Sequence, residues 1–197
     1  MRTYSKRAKK FLPNLLSLSR ILWGVLFFLS FPRNTLLTTL LALGLITLSL
    51  TTDYLDGKMA RAGNSVSLLG KWIDPFADCT FFFFAYLSFH KVQLMPLLLL
   101  LLFAGRELLM YAVIRPLCMV KKIDPGAKAA GKIKTVFQIV GSIGIILLTL
   151  LYQLRWLPFP SLRAVSTSIL ILLVGVSLAS LYWYIRPLIS AAPGDRA

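Results

Sequence analysis

The sequence predicts an all-α integral membrane protein, and three observations carry that prediction. Of 197 residues, 57% are hydrophobic. The apolar residues fall into six runs, each near the roughly 20 residues that a helix needs to cross a bilayer core. The charge is lopsided, with 22 Lys and Arg against 7 Asp and Glu for a net charge of +15, and the bases gather in alternate connections. A soluble basic domain of the nucleic-acid-binding kind would lack the long apolar runs, so that class is excluded and no nucleic-acid partner is expected.

The first run, Leu15 to Phe31, follows a basic tail of Arg2, Lys6, Arg7, Lys9 and Lys10. This resembles a signal peptide, but no small-residue cleavage site follows, so the run is expected to stay as the first span. Tyr4 to Leu12 suits a basic amphipathic helix on anionic lipid and equally a solvated tail. Pro32 to Asn34 lead to the second run, Leu36 to Leu55, and Gly57 to Leu68 to the third, Leu69 to Phe89. His90 to Leu94 precede the fourth, Met95 to Leu117, and Val120 to Lys132 the fifth, Ile133 to Leu151. Tyr152 to Arg163 precede the sixth, Val165 to Ile185. The expected organisation is one membrane domain over 1–197: a juxtamembrane segment at 1–12, a six-helix bundle at 13–187 and a tail at 188–197.

Orientation follows from the Lys and Arg content of short loops. The tail, the second-to-third connection with Lys58, Arg61 and Lys71, and the fourth-to-fifth region with Arg115, Lys121, Lys122, Lys128, Lys132 and Lys134 belong to one side. The opposite connections hold only Arg33, Lys91, Arg155 and Arg163. Both termini are therefore expected in the cytoplasm, with a bacterial inner membrane as the default location.

Cys79 and Cys118 have no metal-ligand spacing, and a reducing cytoplasmic side disfavours a bridge, so both are expected to be packing residues. The sole histidine, His90, lies in an outer connection far from the acids and is expected to be interfacial. Any catalysis must proceed without an imidazole.

Four of the seven acids, Asp53, Asp56, Asp74 and Asp78, lie between Thr51 and Thr80. Asp53, Asp56, Gly57 and Ala60 stand at i, i+3, i+4 and i+7, one stripe at the cytoplasmic end of the second helix. Gly70, Asp74 and Asp78 form a second stripe on the third, and helices joined by a short connection can face each other. Four carboxylates around one small volume at membrane depth must be protonated or neutralised. All-oxygen ligation suits Mg2+ or Mn2+. Two such ions bridged by shared aspartates form a device for phosphoryl transfer. Gly57, Ala60 and Gly70 leave room for a bulky ligand, or serve close helix packing, and Arg61 can pair with a phosphate.

Together these residues read D-x2-D-G-x2-A-R-x8-G-x3-D-x3-D, which resembles the signature of the CDP-alcohol phosphatidyltransferase family at every fixed position. The resemblance implies six spans and an active site open to the cytoplasm. It implies that Asp53, Asp56, Asp74 and Asp78 hold two divalent ions, that Asp78 is also the catalytic base, and that CDP-diacylglycerol is the donor. Gly57, Ala60, Arg61, Ser67 and Gly70 match donor-binding positions, and "PNLLSLSR" resembles the family's opening segment, with Asn14 and Ser17 as further candidates. Arg20 there is either a pocket charge or an interfacial side chain that snorkels.

The motif leaves the acceptor open. "AGRELLMYAVIR" places Arg106 and Glu107 within the fourth span and Arg115 near its end, and "GKIKT" places Lys132 and Lys134 at the start of the fifth. Both segments resemble the branch of the family whose acceptor is glycerol 3-phosphate, so Arg106, Arg115, Lys132 and Lys134 are the candidate ligands of its phosphate. Glu107 points about 100 degrees from Arg106, so the two need not pair, and Glu107 is expected to orient a neighbouring base. Alternatives within the family are phosphatidylglycerol as acceptor, as in a cardiolipin synthase, serine, or inositol phosphate. A cation transporter would spread its acids across the midplane on several helices, whereas these cluster near one face. The resemblance also suggests a homodimer.

Overall fold

The computed structural model describes residues 2–62, 70–120 and 128–190, with side chains for 15–55, 75–118, 120, 131–186 and 189. Among these residues the only regular structure is helical: α1 (Arg2–Ser30), α2 (Leu36–Ala62), α3 (Gly70–Lys91), α4 (Leu97–Leu109), α5 (Arg115–Val120), α6 (Lys128–Gln153) and α7 (Phe159–Ser190). A 3-10 turn, Phe31–Arg33, follows α1, and a π turn, Met110–Ile114, joins α4 to α5.

Local chemistry ends the helices. After α1, Pro32 removes a backbone donor, and Asn34 adopts a left-handed conformation (φ 51°) while donating its N–H to the Phe31 carbonyl at 3.0 Å. Gln93 (φ 63°) and Arg155 (φ 66°) take the same conformation in the turns after α3 and α6. His90 closes the α3 turn, its Nδ1 lying 2.9 Å from the Met95 carbonyl. Gln153 Nε2 donates to Asn34 Oδ1 (3.1 Å) and Thr39 Oγ1 (2.7 Å), and Thr167 Oγ1 to the Leu94 carbonyl (3.1 Å), so these turns are tied together at one end.

Among the described residues five helices are long and apolar enough to cross a membrane: Leu15–Arg33, Leu36–Leu55, Leu97–Cys118, Gly131–Gln153 and Phe159–Arg186. The third predicted span falls on α3, which is not among them. Asp78, His90 and Lys91 make it more polar than its neighbours, and it is also the most enclosed helix. Of its described side chains only Phe76 and Lys91 are exposed. Elsewhere large aliphatic side chains such as Leu37, Leu98, Leu108 and Ile171 face outward, as expected of surfaces that meet lipid tails.

The core is aromatic around α3. Phe27 stacks on Phe31 with centroids 5.3 Å apart, and Tyr86 meets Phe103 edge to face at 4.6 Å. α1 packs against both α2 and α3, and α6 against α2 and α7. The α1–α3 crossing depends on Gly24, where a Cβ would come within 3.0 Å of the Phe81 Cα. Arg20, one turn before Gly24, is thereby brought level with Asp78, three residues before Phe81.

Candidate active site

α2 and α3 bring two of the predicted carboxylates together, and α1 supplies a cation between them. Arg20 Nη1 donates to Asp53 Oδ1 at 2.6 Å and also to Asp78 Oδ1. The arginine side chain is fully buried, whereas those of Asp53 and Asp78 are 52% and 35% exposed. Arg20 does not snorkel: it is buried and meets the acids from the protein side, while Asp53 and Asp78 line the cavity.

The other candidates divide by position. Asp56, Gly57, Ala60 and Arg61 lie on the last turns of α2, and Gly70 and Asp74 on the first turns of α3, with side chains outside the described residues. Asn14 is helical, its side chain likewise outside, and Ser67 lies outside the described residues altogether. Ser17 is buried on α1, one turn before Arg20. Among the described residues no three His, Cys, Asp or Glu side chains form a metal-holding cluster. Cys79 and Cys118 are free thiols.

Asp53 and Asp78 open onto a cavity of about 590 Å3, lined across from them by Arg106, Glu107 and Arg115 of the α4–α5 segment and Lys132 and Lys134 of α6. Nine positions along a regular α-helix would put Arg106 and Arg115 on opposite faces. The wider π turn between them rewinds the helix so that both reach the same cavity. Arg115 is steadied by Tyr111, whose ring centroid lies 4.7 Å from the guanidinium carbon, and Phe76 of α3 meets that ring edge-on.

Arg106 and Glu107 pair, although their positions on the helix do not require it, with Nη1 donating to Oε1 at 2.8 Å. Both side chains are buried, and two long chains leaving adjacent positions can bend into one enclosed space where pairing offsets desolvation. Arg106 also donates Nε to the Ser177 carbonyl (3.1 Å) and Nη2 to Ser180 Oγ (2.8 Å), both on α7. Lys134 donates from Nζ to the same Glu107 Oε1. Glu107 thus orients a neighbouring base, as expected. Sequence reasoning did not find Ser177, Ser180 or Tyr111, since hydroxyls and an aromatic ring in apolar helices give no signal of their own.

A wall of acids facing a wall of bases across a space of substrate size suits the handling of phosphates. Residues 10–179 match the family described as CDP-alcohol phosphatidyltransferase. The chain belongs to the CDP-alcohol phosphatidyltransferase family. It is similar to the CDP-diacylglycerol--glycerol-3-phosphate 3-phosphatidyltransferase of Aquifex aeolicus, at 38% identity over 141 residues, which cover 68% of this chain and 75% of that one. The protein of the same description from Rickettsia felis is 35% identical over 137 residues, covering 67% and 72%. A cardiolipin synthase (CMP-forming) from Streptomyces coelicolor is 36% identical over 73 residues, covering 37% of this chain and 34% of its own. No solved structure matches the chain. In this phosphatidyltransferase, Arg20, Asp53, Asp78, Arg106, Glu107, Arg115, Lys132 and Lys134 all lie within the matched stretch.

Proposed function

We propose that this enzyme transfers the phosphatidyl group of CDP-diacylglycerol to sn-glycerol 3-phosphate, forming phosphatidylglycerophosphate and CMP. The observation that carries the reading is the cavity of about 590 Å3 with Asp53 and Asp78 on one wall and Arg106, Arg115, Lys132 and Lys134 on the others. An acceptor held by its phosphate on the basic walls presents its primary hydroxyl to the carboxylates. The relatives from Aquifex aeolicus and Rickettsia felis, by their descriptions, support the same acceptor.

The aspartates fit a divalent ion. Asp53 and Asp78 already converge on one cationic nitrogen, and their oxygens are the hard donors that Mg2+ or Mn2+ prefers. Asp53, Asp56, Asp74 and Asp78 would hold two such ions, which when bound neutralise the donor's phosphates and the departing CMP. Gly57, Ala60, Arg61, Ser67 and Gly70, with Asn14 and Ser17, bind the cytidine and its phosphates. Asp78 takes the proton from the acceptor hydroxyl, whose oxygen forms the new bond to the phosphorus carrying diacylglycerol as the bond from that phosphorus to CMP breaks.

The surrounding assignments belong to the same reading. The chain is one domain of six spans with α3 as the third, both termini and the cavity at the cytoplasmic face of a bacterial inner membrane, and it assembles as a homodimer. The test is to supply purified protein with CDP-diacylglycerol and, in turn, labelled glycerol 3-phosphate, phosphatidylglycerol, serine and inositol phosphate. Phosphatidylglycerophosphate is the expected product. Cardiolipin made from phosphatidylglycerol, with glycerol 3-phosphate ignored, would replace the acceptor and leave the donor unchanged.

A further inference from the structure

The four bases around the cavity are not equivalent. Every nitrogen of the Arg106 guanidinium is engaged by the protein: Nε by the Ser177 carbonyl (3.1 Å), Nη2 by Ser180 Oγ (2.8 Å) and Nη1 by Glu107 (2.8 Å). A planar fork tied down at all three nitrogens is poorly placed to grip a ligand by two parallel bonds. Lys134 differs. Its ammonium has three N–H donors, of which one is directed to Glu107, and it lies in the cavity wall. A lysine on four rotatable bonds loses much side-chain freedom when it is held in one orientation, and a fixed carboxylate can hold it there before substrate arrives. Glu107 is such a carboxylate, buried and itself clamped to α7 through Arg106.

We infer that Glu107 is a positioning residue that fixes Lys134 on the acceptor phosphate, and that Arg106 acts as the anchor of Glu107 rather than as a phosphate ligand. The relay runs from α7 through α4 to α6. It rests on the acceptor reading given above and assigns within it who touches the phosphate: Lys134, beside Arg115 and Lys132. A carboxylate next to an anion site also carries a cost, because it repels the ligand. Its placement behind Lys134, shielded by Arg106, keeps the net charge of that trio at one positive unit.

The test is a double-mutant cycle on acceptor kinetics with E107Q, K134M and the double variant. Glutamine keeps the size and an acceptor oxygen for Arg106 while removing the charge that holds the ammonium. Both single variants are expected to raise the KM for glycerol 3-phosphate by on the order of tenfold or more, with the KM for CDP-diacylglycerol unchanged. In the K134M background, E107Q should add less than about twofold, because a residue that works through another has nothing left to position. Effects that multiply, or donor and acceptor KM values rising together, would overturn the assignment. Should E107Q fail to accumulate in membranes, E107D keeps the charge but withdraws it by one methylene, and the same cycle is read. A wild-type enzyme that ignores glycerol 3-phosphate but uses another phosphate-bearing acceptor refutes the acceptor reading, and the cycle on that acceptor still decides the role of Glu107.

Discussion

Replacing Asp53, Asp56, Asp74 or Asp78 by Asn is expected to abolish transfer while the protein still reaches the membrane, since a lost ligand charge weakens cation binding more than helix packing. Chelation should act the same way, and added Mg2+ or Mn2+ should reverse it; full turnover of Asp56→Asn, or activity in excess EDTA, would contradict this. Arg20 behaves differently because it is the buried member of its pair. Arg20→Met leaves two acids facing each other across α2 and α3 without their common cation. A lower melting temperature in EDTA is expected, with a smaller loss when Mn2+ is present to take over the neutralisation. An equal loss in both conditions would mean that Arg20 serves packing alone. The aspartates were legible because eight fixed positions, filled by Asp, Gly, Ala and Arg, stand at set spacing on two helices. Arg20 was not, because a lone arginine near the end of an apolar helix reads the same whether it snorkels or is buried, and its partners lie 33 and 58 residues away.

Helices form wherever apolar runs permit, so the six runs located the elements, with boundaries displaced by polar turns that remain helical. α2 continues to Ala62 and α6 begins at Lys128, each beyond the apolar run, because helix-compatible polar residues extend a helix once the lipid-facing part has nucleated it. Asp56, Gly57 and Ala60 therefore lie on a helix, as the stripe required. The π turn at Met110–Ile114 could not be read, since nothing in Met-Tyr-Ala-Val-Ile departs from an ordinary span. It was needed only to aim Arg115. Gly24 likewise looks like a neutral small residue until α3 is seen against it. Gly24→Leu is expected to force α1 off Phe81 and lower stability by roughly 1–3 kcal/mol, with activity lost through displacement of Arg20. Thermal unfolding in detergent alongside turnover checks this, and a fully stable, active Gly24→Leu protein would show that the crossing tolerates the added bulk.

At the scale of the whole molecule, charge and turn geometry point the same way. The left-handed turns at Asn34, Gln93 and Arg155 gather at one end, joined through Gln153 and Thr167, while the acids and the basic cavity lie toward the other. α3 runs in the same direction as α1, with Asp78 beside Arg20 at one end and Phe89 against Phe31 at the other, so the Gln93 turn lies at the same end as Asn34 and Arg155. Two arrangements in the membrane are then open, one with the basic cavity at the cytoplasmic face and one inverted. Single cysteines placed at Asn34, Gln93, Arg155 and Lys132, in a Cys79→Ser, Cys118→Ala background, separate the two arrangements. A membrane-impermeant maleimide is expected to label the first three from outside intact cells and to reach Lys132→Cys only in inverted vesicles. Six crossings with the bases inside require that pattern, as the asymmetry of the loop charges favours. Labelling of Asn34→Cys, Gln93→Cys and Arg155→Cys only in inverted vesicles would instead mean the inverted arrangement, which turns the basic cavity away from the compartment that supplies a soluble phosphorylated acceptor.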